Sequence, residues 1–356
     1  MEVTDKKPEL AIPLTEREVP GLVSEQLSKF TRESIGAKEA QPIEIALPEG
    51  QSVLSVDIGG DSLVAAVVSV INGRLERGRN VVNVVGSKLG RDYLRRLEWA
   101  ASYAKQYRLP VGISFAGPVA GSKPQHGENV PVLMRDLREK YSGDFAALFP
   151  TFSVLENDAP AGLLAGALYA QQQEVSGDII YAINGSGLNA AALAGGSVIS
   201  AEAGHVELVD ELNPYNQQNP CHLHDDKFVC IESVAASKAG IEDLWEKQTG
   251  RLLDGKEIEQ QYLAGDELAG NLYDHSALVT SHMVAGVARA LGIDLKGSST
   301  AVIGHGGTFK FPGYGARVQQ ILATHMGAKP HLFMTKDFSQ NACLEGAALA
   351  ALAKAT

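Results

Sequence analysis

Two segments of this chain share one pattern, in which an apolar strand, a glycine-rich turn and a second apolar strand follow each other. The first segment reads SVDIGGDSLVAAVV (55–68), and the second reads YAINGSGLNAAAL (181–193). Such runs predict β-hairpins. Glycine turns let backbone amides approach a phosphate closely, although a Gly-Gly turn is also typical of an ordinary hairpin. The repetition favours a duplicated architecture in which both turns point at one ligand.

The rest of the chain alternates strands with helices. Further strands are predicted at 109–117, 152–158, 300–307 and 331–335, and helices at 90–107, 131–142, 159–172, 231–293, 314–325 and 341–355. This alternation is typical of α/β layers. At 356 residues the chain exceeds what one hydrophobic core usually organises, so we expect two domains.

Residues 1–50 differ in composition from the remainder. They are acidic on balance and interrupted by prolines, and only 21–35 favours a short helix. We expect this segment to be an extension that lies over the main body or mediates assembly.

A cluster of metal-binding residue types follows residue 200. Cys221, His224 and Cys230 have the spacing Cys-x2-His-x5-Cys, and His205 precedes the first of these cysteines by sixteen positions. Nitrogen and sulfur ligands in this number are typical of a closed tetrahedral zinc site. The sequence therefore predicts a structural zinc ion.

Other arrangements of this cluster stay open. His222 is the alternative third ligand, because spacing alone does not separate neighbouring positions of a loop. A disulfide between Cys221 and Cys230, or no bond at all, would replace zinc, but disulfide scaffolds are far richer in cysteine than a chain with 3. Glu202 and Glu232 flank the cluster, so a bound metal would direct two acids toward a polar ligand.

The charge and hydropathy of the chain bear on its partners. A net charge of −11 argues against nucleic acid, which is bound through phosphate neutralisation by Lys and Arg. No stretch approaches the roughly 20 apolar residues that span a bilayer, and the N-terminus lacks the apolar core of a signal peptide. We expect a cytoplasmic protein with neither a membrane nor a nucleic-acid partner.

The motifs along residues 52–352 resemble, in order, those of the ROK family of sugar kinases and sugar-responsive repressors. They are VDIGGD (56–61), ISFAGP (113–118), ENDAPAGLLAG (156–166), INGSGLN (183–189), EAGH (202–205) with CIES (230–233), and IGHGG (303–307). The resemblance implies a two-domain actin-like ATPase fold of the sugar-kinase/Hsp70 type, with a cleft between the domains. It implies an N-terminal extension (1–50), a small α/β domain (51–165 plus 337–356) and a large α/β domain with the zinc loop (166–336).

The resemblance also implies an enzyme, an ATP-dependent sugar kinase. The expected acceptor is a hexose hydroxyl, the 6-OH of fructose, glucose or mannose, and the Cys-x2-His spacing resembles the fructokinase and mannokinase branch. Phosphoryl transfer needs an aligned hydroxyl and a nearby base, and Asp158 matches the family's catalytic base. Asn157 and Asp158 also suit a simpler purpose, capping the helix that follows.

Six positions match the family's sugar-binding residues, namely Gly117, Asn157, Asp158, Glu202, His205 and Glu232. Carboxylates and amides are suited to sugar hydroxyls. His205 would contact the sugar with one ring nitrogen and zinc with the other, which fixes its tautomer. Solvated surface acids and a plain Gly-Pro turn are the simpler alternatives.

A second set matches the nucleotide site, which binds Mg²⁺ with ATP. Asp57 matches the acid that orients magnesium, and its simpler alternative is a carboxylate satisfied by the adjacent turn. Backbone donors to the phosphates are expected from Gly59, Gly60, Gly185, Ser186 and Gly187, and the border of adenine and ribose from Gly306 and Gly307.

Two positions depart from the usual family pattern. Asp61 stands in the first turn, where relatives usually have threonine before a basic residue, and its charge would repel a triphosphate. Asn189 replaces a usual glycine, which is tolerated because Asn visits positive φ. These departures keep open a sugar-binding sensor that has lost catalysis, and a kinase for an amino sugar or with another phosphoryl donor. Since relatives are commonly dimers, we expect a homodimer.

Overall fold

The computed structural model describes residues 12–355 apart from positions 43, 44, 46, 61, 87–89, 128, 222–226, 298 and 328–329. The chain divides into two compact units. Unit 1 contains the described residues of Met1–Ala40, Val175–Gly195 and Ile199–Asp337, and unit 2 contains those of Gln41–Glu174, Gly196–Val198 and Phe338–Thr356. The chain passes from unit 2 to unit 1 after residue 174, at the end of the segment Gln41–Glu174.

Strands alternate with helices through both units, which confirms the α/β prediction. The strands are β1 (Gln41–Pro42), β2 (Ser52–Ile58), β3 (Ser62–Ile71), β4 (Arg74–Val85), β5 (Val111–Phe115), β6 (Val119–Ala120), β7 (Lys123–Pro124), β8 (Phe152–Asn157), β9 (Ile179–Asn184), β10 (Leu188–Ala194), β11 (Ser197–Ala201), β12 (Ala301–His305) and β13 (His331–Met334). The helices are α1 (Ser24–Ser28), α2 (Tyr93–Tyr107), α3 (Pro131–Tyr141), α4 (Phe145–Leu148), α5 (Asp158–Gln172), α6 (Glu232–Ala235), α7 (Asp243–Thr249), α8 (Gly255–Leu263), α9 (Glu267–Leu291), α10 (Tyr314–Met326) and α11 (Ala342–Ala355).

Unit 2 is built on a five-stranded sheet with the order β4-β3-β2-β5-β8. β2, β5 and β8 run parallel, while β3 and β4 extend the sheet as antiparallel strands. Side chains of β2 alternate between two cores, because Val53 packs with α5 and α11 while Leu54 packs with α2 and α3. The β3–β4 turn at Asn72 and Gly73 has φ values of 53° and 68°, as a two-residue hairpin requires.

Unit 1 contains a second sheet, in which β11, β10, β9, β12 and β13 are neighbours in that order. β9 and β10 form the second predicted strand–glycine turn–strand pattern, with Leu188 paired to Asn184. β12 lies parallel to both β9 and β13. The 25-residue helix α9 is the main helical partner of this sheet in the core of the unit, and α10 packs against it.

The described part of the N-terminal extension packs on unit 1. Phe30 and Ile35 are buried in the same apolar cluster as α9. The side chain of Arg317, also fully buried, donates to the backbone carbonyl oxygens of Arg17 and Glu18 at 3.0 and 2.6 Å. These contacts make residues 12–40 an integral part of the unit.

The helix predicted over 21–35 is much shorter in the structure, where α1 covers Ser24–Ser28. Beyond it, Thr31 and Ser34 bond each other's backbone, with Oγ1 of Thr31 accepting from the amide of Ser34 at 3.0 Å. Short polar side chains that satisfy nearby amides compete with helical hydrogen bonds, which accounts for the early end. None of the helices in the described part of the chain has the length and apolarity that crossing a bilayer demands.

Candidate functional site

Functional side chains of unit 2 gather where its parallel strands end. Asp57 pairs with Ser114, and Ser114 pairs with Glu156. Because parallel strands share one edge for their carboxyl ends, Asp57 and Asn157 lie at the same edge of the sheet, and Asp158 begins α5 there. Ligands of open α/β sheets bind outside this edge. Asp57, predicted for the magnesium site, therefore lies at the same sheet edge of unit 2 as Asn157 and Asp158, predicted for the sugar and the base.

Asp57 is half-buried and held by a side chain that sequence reasoning missed. Nδ2 of Asn341 donates to Oδ2 of Asp57 at 2.9 Å, while Oδ1 of Asn341 caps α11 by accepting from the Leu344 amide at 2.9 Å. Burial raises the pKa of Asp57, and hydrogen bonding together with the charge of Arg77 opposes that rise. An Asn directly before an alanine-rich helix was the available signal, since it is a preferred N-cap residue.

The helix-capping alternative for Asn157 is observed. Its Oδ1 accepts from the Ala159 amide at 3.0 Å at the start of α5. Its Nδ2 donates to the carbonyl oxygen of Gly117 at 2.8 Å, which ties the strand end to the β5–β6 loop. Asp158 is the first residue of the 15-residue helix α5, where the helix dipole favours a negative charge.

Gly117 has a backbone conformation that requires glycine. Its φ is 150°, and a Cβ at this position would lie 2.8 Å from the carbonyl oxygen of His126. Only glycine occupies this region freely. The loop can therefore approach the backbone of His126 closely only because residue 117 lacks a side chain.

The first glycine turn of unit 2 joins β2 to β3. The amide of Gly59 donates to the carbonyl oxygen of Ser62 at 2.9 Å and closes the turn. A Cβ on Gly60 would lie 3.0 Å from the Cβ of Asn129, so the turn is packed on one side. Asp61, the departure from the family pattern, lies outside the described residues.

In unit 1 three of the four predicted metal ligands come together. His205, Cys221 and Cys230 are all buried, and one ligand atom of each lies within 4.8 Å of the others. Nδ1 of His205 is 3.5 Å from Sγ of Cys221. The two cysteines, both in the described part of the chain, are not joined by a disulfide.

The donor set fits a zinc ion. Ligand bonds of about 2.3 Å for sulfur and about 2.0 Å for nitrogen place neighbouring atoms of a tetrahedral site about 3.5 Å apart. The separation of His205 from Cys221 agrees with this spacing. His224, the predicted fourth ligand, and the alternative His222 both lie outside the described residues.

Glu202 precedes this cluster on a short helical turn. Its Oε2 accepts from Nδ2 of Asn189 at 2.8 Å, whereas its Oε1 is buried and has no hydrogen-bond partner among the described residues. Burial raises the pKa of Glu202. The hydrogen bond from Asn189 and the charge of Lys38 oppose this rise, whereas the negative charge of Glu232 increases it. A buried carboxylate oxygen without a donor is expensive, so a ligand hydroxyl is a suitable partner for it.

Glu232, the second predicted acid, is the first residue of α6 and links the metal cluster to the second glycine turn. Its Oε2 accepts from the amide of Leu188 at 2.8 Å. A Cβ on Gly187 would lie 3.0 Å from the same oxygen, so the turn and the acid are in close contact. The acid and the turn are thus positioned together.

The glycine segments of unit 1 also meet. Because β9 and β12 are parallel neighbours, residues 185–187 and 306–307 leave the sheet at the same edge. A Cβ built on Gly185 lies 3.8 Å from the amide nitrogen of Gly307. Gly306 has a φ of 103°, and a side chain there would collide with the backbone carbonyl of Asn184. Ser186 is exposed at the tip of the turn.

The backbone conformation expected for Asn189, a positive φ, was wrong. Asn189 does not use positive φ, because it lies in β10, paired with Ile183. Its Oδ1 accepts from the amide of Ala203 at 3.1 Å, and its Nδ2 reaches Glu202. The side chain at this position therefore has a defined structural contact.

Comparisons with known proteins agree with this architecture. The family model described as "ROK family" matches residues 53–355. Among curated protein sequences, none matches this chain significantly. The solved structure of a ROK hexokinase from Thermus thermophilus is 24% identical, with a TM-score of 0.60, and the alignment covers 85% of this chain and 98% of that one.

Two further solved structures, of a kinase and of a transcriptional regulator, have the same fold. A ROK-family glucokinase from Streptomyces griseus, in complex with glucose and AMPPNP, is 18% identical, with a TM-score of 0.60 over 83% of this chain and 98% of that chain. A ROK-family transcriptional regulator, a homologue of the E. coli MLC protein, is 18% identical, with a TM-score of 0.56 over 85% of this chain and 78% of that chain. The sequence match over residues 53–355 and the shared actin-like ATPase architecture lead to one assignment: this chain belongs to the ROK family.

Proposed function

We propose that this protein is a sugar kinase that transfers the γ-phosphoryl group of ATP to a hexose hydroxyl, with Asp158 as the general base. The observation that carries the proposal is the position of Asp158, at the first turn of α5 and at the strand edge that also holds Asp57. In a ROK-family chain, a carboxylate at this place matches the family's base, and a positioned carboxylate is suited to accept a hydroxyl proton. The 6-OH of fructose, glucose or mannose is the expected acceptor.

The role of unit 2 is to align the acceptor and the phosphate. Asp158 takes the proton of the attacking hydroxyl, while Asn157 and Gly117 shape the sugar side through their mutual hydrogen bond. Phosphoryl transfer depends mainly on such positioning and on charge stabilisation. Mg²⁺ bound with ATP supplies charge neutralisation at the phosphates, and Asp57, held by Asn341, is the residue that would orient it.

In unit 1, three side chains are proposed to bind the hydroxyl groups of the sugar. Oε1 of Glu202, buried without a partner among the described residues, accepts a hydrogen bond from a sugar hydroxyl. His205 directs Nδ1 toward the thiol of Cys221, so Nε2 is the ring nitrogen that we assign to the sugar. Glu232 completes the set from the start of α6. Each of these groups suits the directional bonding that hydroxyls require.

We assign a structural zinc ion to His205, Cys221 and Cys230, with His224 as the fourth ligand. The three described ligand atoms are close enough to share one ion. When bound, the ion holds the backbone around 205 and 230, where the amide of Ile231 already donates to the carbonyl oxygen of Val206 at 3.0 Å. Its proposed contribution is rigidity of the sugar-binding residues rather than chemistry on the phosphate.

The nucleotide is assigned to the glycine turns. In unit 2 the turn that follows Gly59, and in unit 1 the turn that follows Gly185, each have backbone amides suited to a phosphate, and in unit 1 residues 306–307 are assigned to the adenosine. Gly307 supports this assignment, because a Cβ built there meets nothing within 4 Å and leaves its backbone accessible. Backbone amides in glycine-rich turns are suited to phosphate.

A panel assay tests the proposed function. Purified protein is supplied with Mg²⁺, ATP and, one at a time, glucose, fructose, mannose and an amino sugar, and ADP release is followed against a blank without sugar. We expect ADP release that depends on at least one neutral hexose. Sugar that raises the melting temperature without ADP release would instead identify a sensor, and ADP release confined to the amino sugar would identify an amino-sugar kinase.

A further inference from the structure

The N-terminal extension reaches one of the proposed sugar-binding residues directly. The amide of Glu202 donates to the carbonyl oxygen of Ile35 at 2.7 Å, and the amide of Lys38 donates to that of Ser200 at 3.0 Å. Residues 35–38 and 200–202 thus run antiparallel to each other. Since the family match begins at residue 53, this contact comes from a part of the chain outside the matched region.

Two further features of this segment face Glu202. Gly36 turns the chain with a φ of 54°, and a Cβ built there would lie 3.8 Å from the Cβ of Glu202. Burial raises the pKa of Glu202, and the charge of Lys38 opposes that rise. Residues 35–38 therefore support both the backbone and the charge of Glu202.

The segment is anchored firmly enough for this purpose. Oε1 and Nε2 of Gln26, fully buried, bond the amide of Val209 and the carbonyl of Glu207, each at 2.9 Å. The ring of Phe30 occupies a notch at Gly286 of α9, where any side chain would collide with it. Buried polar bonds and close packing of this kind leave little freedom.

The side chain of Asn189 makes a second contact with the Glu202 carboxylate. Its Nδ2 bonds Oε2 of Glu202, while its Oδ1 holds the amide of Ala203, the next residue along the chain. The usual glycine of the family has no side chain for either bond. One oxygen of Glu202 is therefore occupied within unit 1 itself.

We propose that Asn189 and residues 35–38 are positioning elements that fix Glu202 as an acceptor through a single oxygen, Oε1, for one sugar hydroxyl. The inference rests on the proposed function, in which Glu202 binds the sugar. A carboxylate with both oxygens available can accept from a sugar at either oxygen, whereas Glu202 presents only Oε1 to the sugar. This geometry selects a sugar by the orientation of a single hydroxyl at that point.

A double-mutant cycle tests the inference. Sugar affinity is measured by calorimetry, without nucleotide, for the wild type, Asn189→Gly, Glu202→Gln and the double variant. If Asn189 acts through Glu202, the double variant binds no more weakly than Glu202→Gln alone, and Asn189→Gly alone weakens binding about tenfold, as expected for one charged hydrogen bond. The KM for ATP stays unchanged. Additive losses, or an unchanged affinity for Asn189→Gly, would overturn the proposal.

Two further variants separate positioning from folding. Asn189→Asp has the same shape and keeps an acceptor for Ala203 but places a negative charge against Glu202, so sugar affinity falls further than with glycine. Lys38→Gln weakens sugar binding severalfold, whereas Arg32→Gln, an exposed cation of the same extension, leaves it unchanged. Equal effects of Lys38→Gln and Arg32→Gln would contradict the role of Lys38. A wild-type protein that binds none of the hexoses would overturn the proposed function as well.

Discussion

At the scale of single residues, the proposed role of Asp158 as general base can be tested by an isosteric change. Asp158→Asn keeps the shape at the start of α5 but removes the proton acceptor, so kcat should fall by about 10²–10⁴-fold. Sugar affinity and melting temperature should remain close to the wild type. The assay is steady-state kinetics with the best hexose of the panel.

Asp144→Asn provides the matched control for this change. Asp144 caps α4 in the same unit by accepting from the Ala146 amide at 2.8 Å, and Asn is an equally good cap. The kcat of the Asp144→Asn variant should therefore equal that of the wild type. Turnover that survives Asp158→Asn would remove this residue from the role of base.

Gly117 gives a second test at this scale, on stability. In Gly117→Ala the new Cβ meets the carbonyl oxygen of His126 in a backbone region reserved for glycine, so the free energy of unfolding should fall by about 3 kcal/mol. Gly121→Ala is the control, since Gly121 also has positive φ, 61°, but nothing lies within 4 Å of a Cβ there. Its loss should be only about 1 kcal/mol. Equal urea midpoints for the two variants would contradict the close approach at residue 117.

At the scale of elements, the hairpins were predictable and the length of α1 was not. Alternating apolar residues and a turn at Asn72-Gly73 specify β3 and β4 locally. The short α1 depends on bonds between Thr31 and Ser34, which a helical periodicity does not reveal. Patterns that a few neighbouring residues determine are readable from the sequence, whereas competition between local bonds depends on the final packing.

The contact between the extension and α9 predicts a pH dependence. Nε2 of His282 accepts from the amide of Val23 at 2.8 Å and Nδ1 lies 2.9 Å from the carbonyl oxygen of Leu278, so the neutral ring suits both bonds. Burial lowers the pKa of His282 to about 4, and the charge of His325 contributes to this. The unfolded chain, with a histidine pKa of about 6.5, binds this proton first. Stability from His282 is therefore complete above pH 6.5 and is lost as the pH falls toward 4.

His282→Gln isolates this contribution. Between pH 7 and pH 5 the wild type should lose about 2 kcal/mol more of its free energy of unfolding than the variant, measured by urea denaturation. The exposed His331→Gln is the control and should keep the pH dependence of the wild type. Parallel profiles for wild type and His282→Gln would show that the neutral ring does not hold the extension.

At the scale of the whole molecule, metal content is the simplest prediction. The wild type should bind one zinc ion per chain, and Cys230→Ser should lose it and melt several degrees lower, because structural zinc stabilises the folded state. Cys343→Ser is the matched control, a buried cysteine of unit 2 outside the cluster. Elemental analysis and thermal melting measure both effects. Wild-type protein without stoichiometric zinc would contradict the assignment.

The sequence indicated many residues of the candidate site but few of the residues that hold them in position. Motifs report residue types at fixed spacing, so Glu202 and the cysteines stood out. Asn341 and Lys38 support Asp57 and Glu202 from segments distant in the chain, and only the fold brings them there. Support of this kind has no local signature.

The central claim is that this ROK-family chain phosphorylates a hexose. ³¹P NMR of a reaction with ATP, Mg²⁺ and the best-binding hexose tests it most directly, because it reports the bond that forms. The account predicts a new phosphate monoester resonance that increases in step with ADP and does not form with Asp158→Asn. ADP that accumulates with inorganic phosphate alone, or no change in the ATP resonances while the sugar is bound, would contradict it.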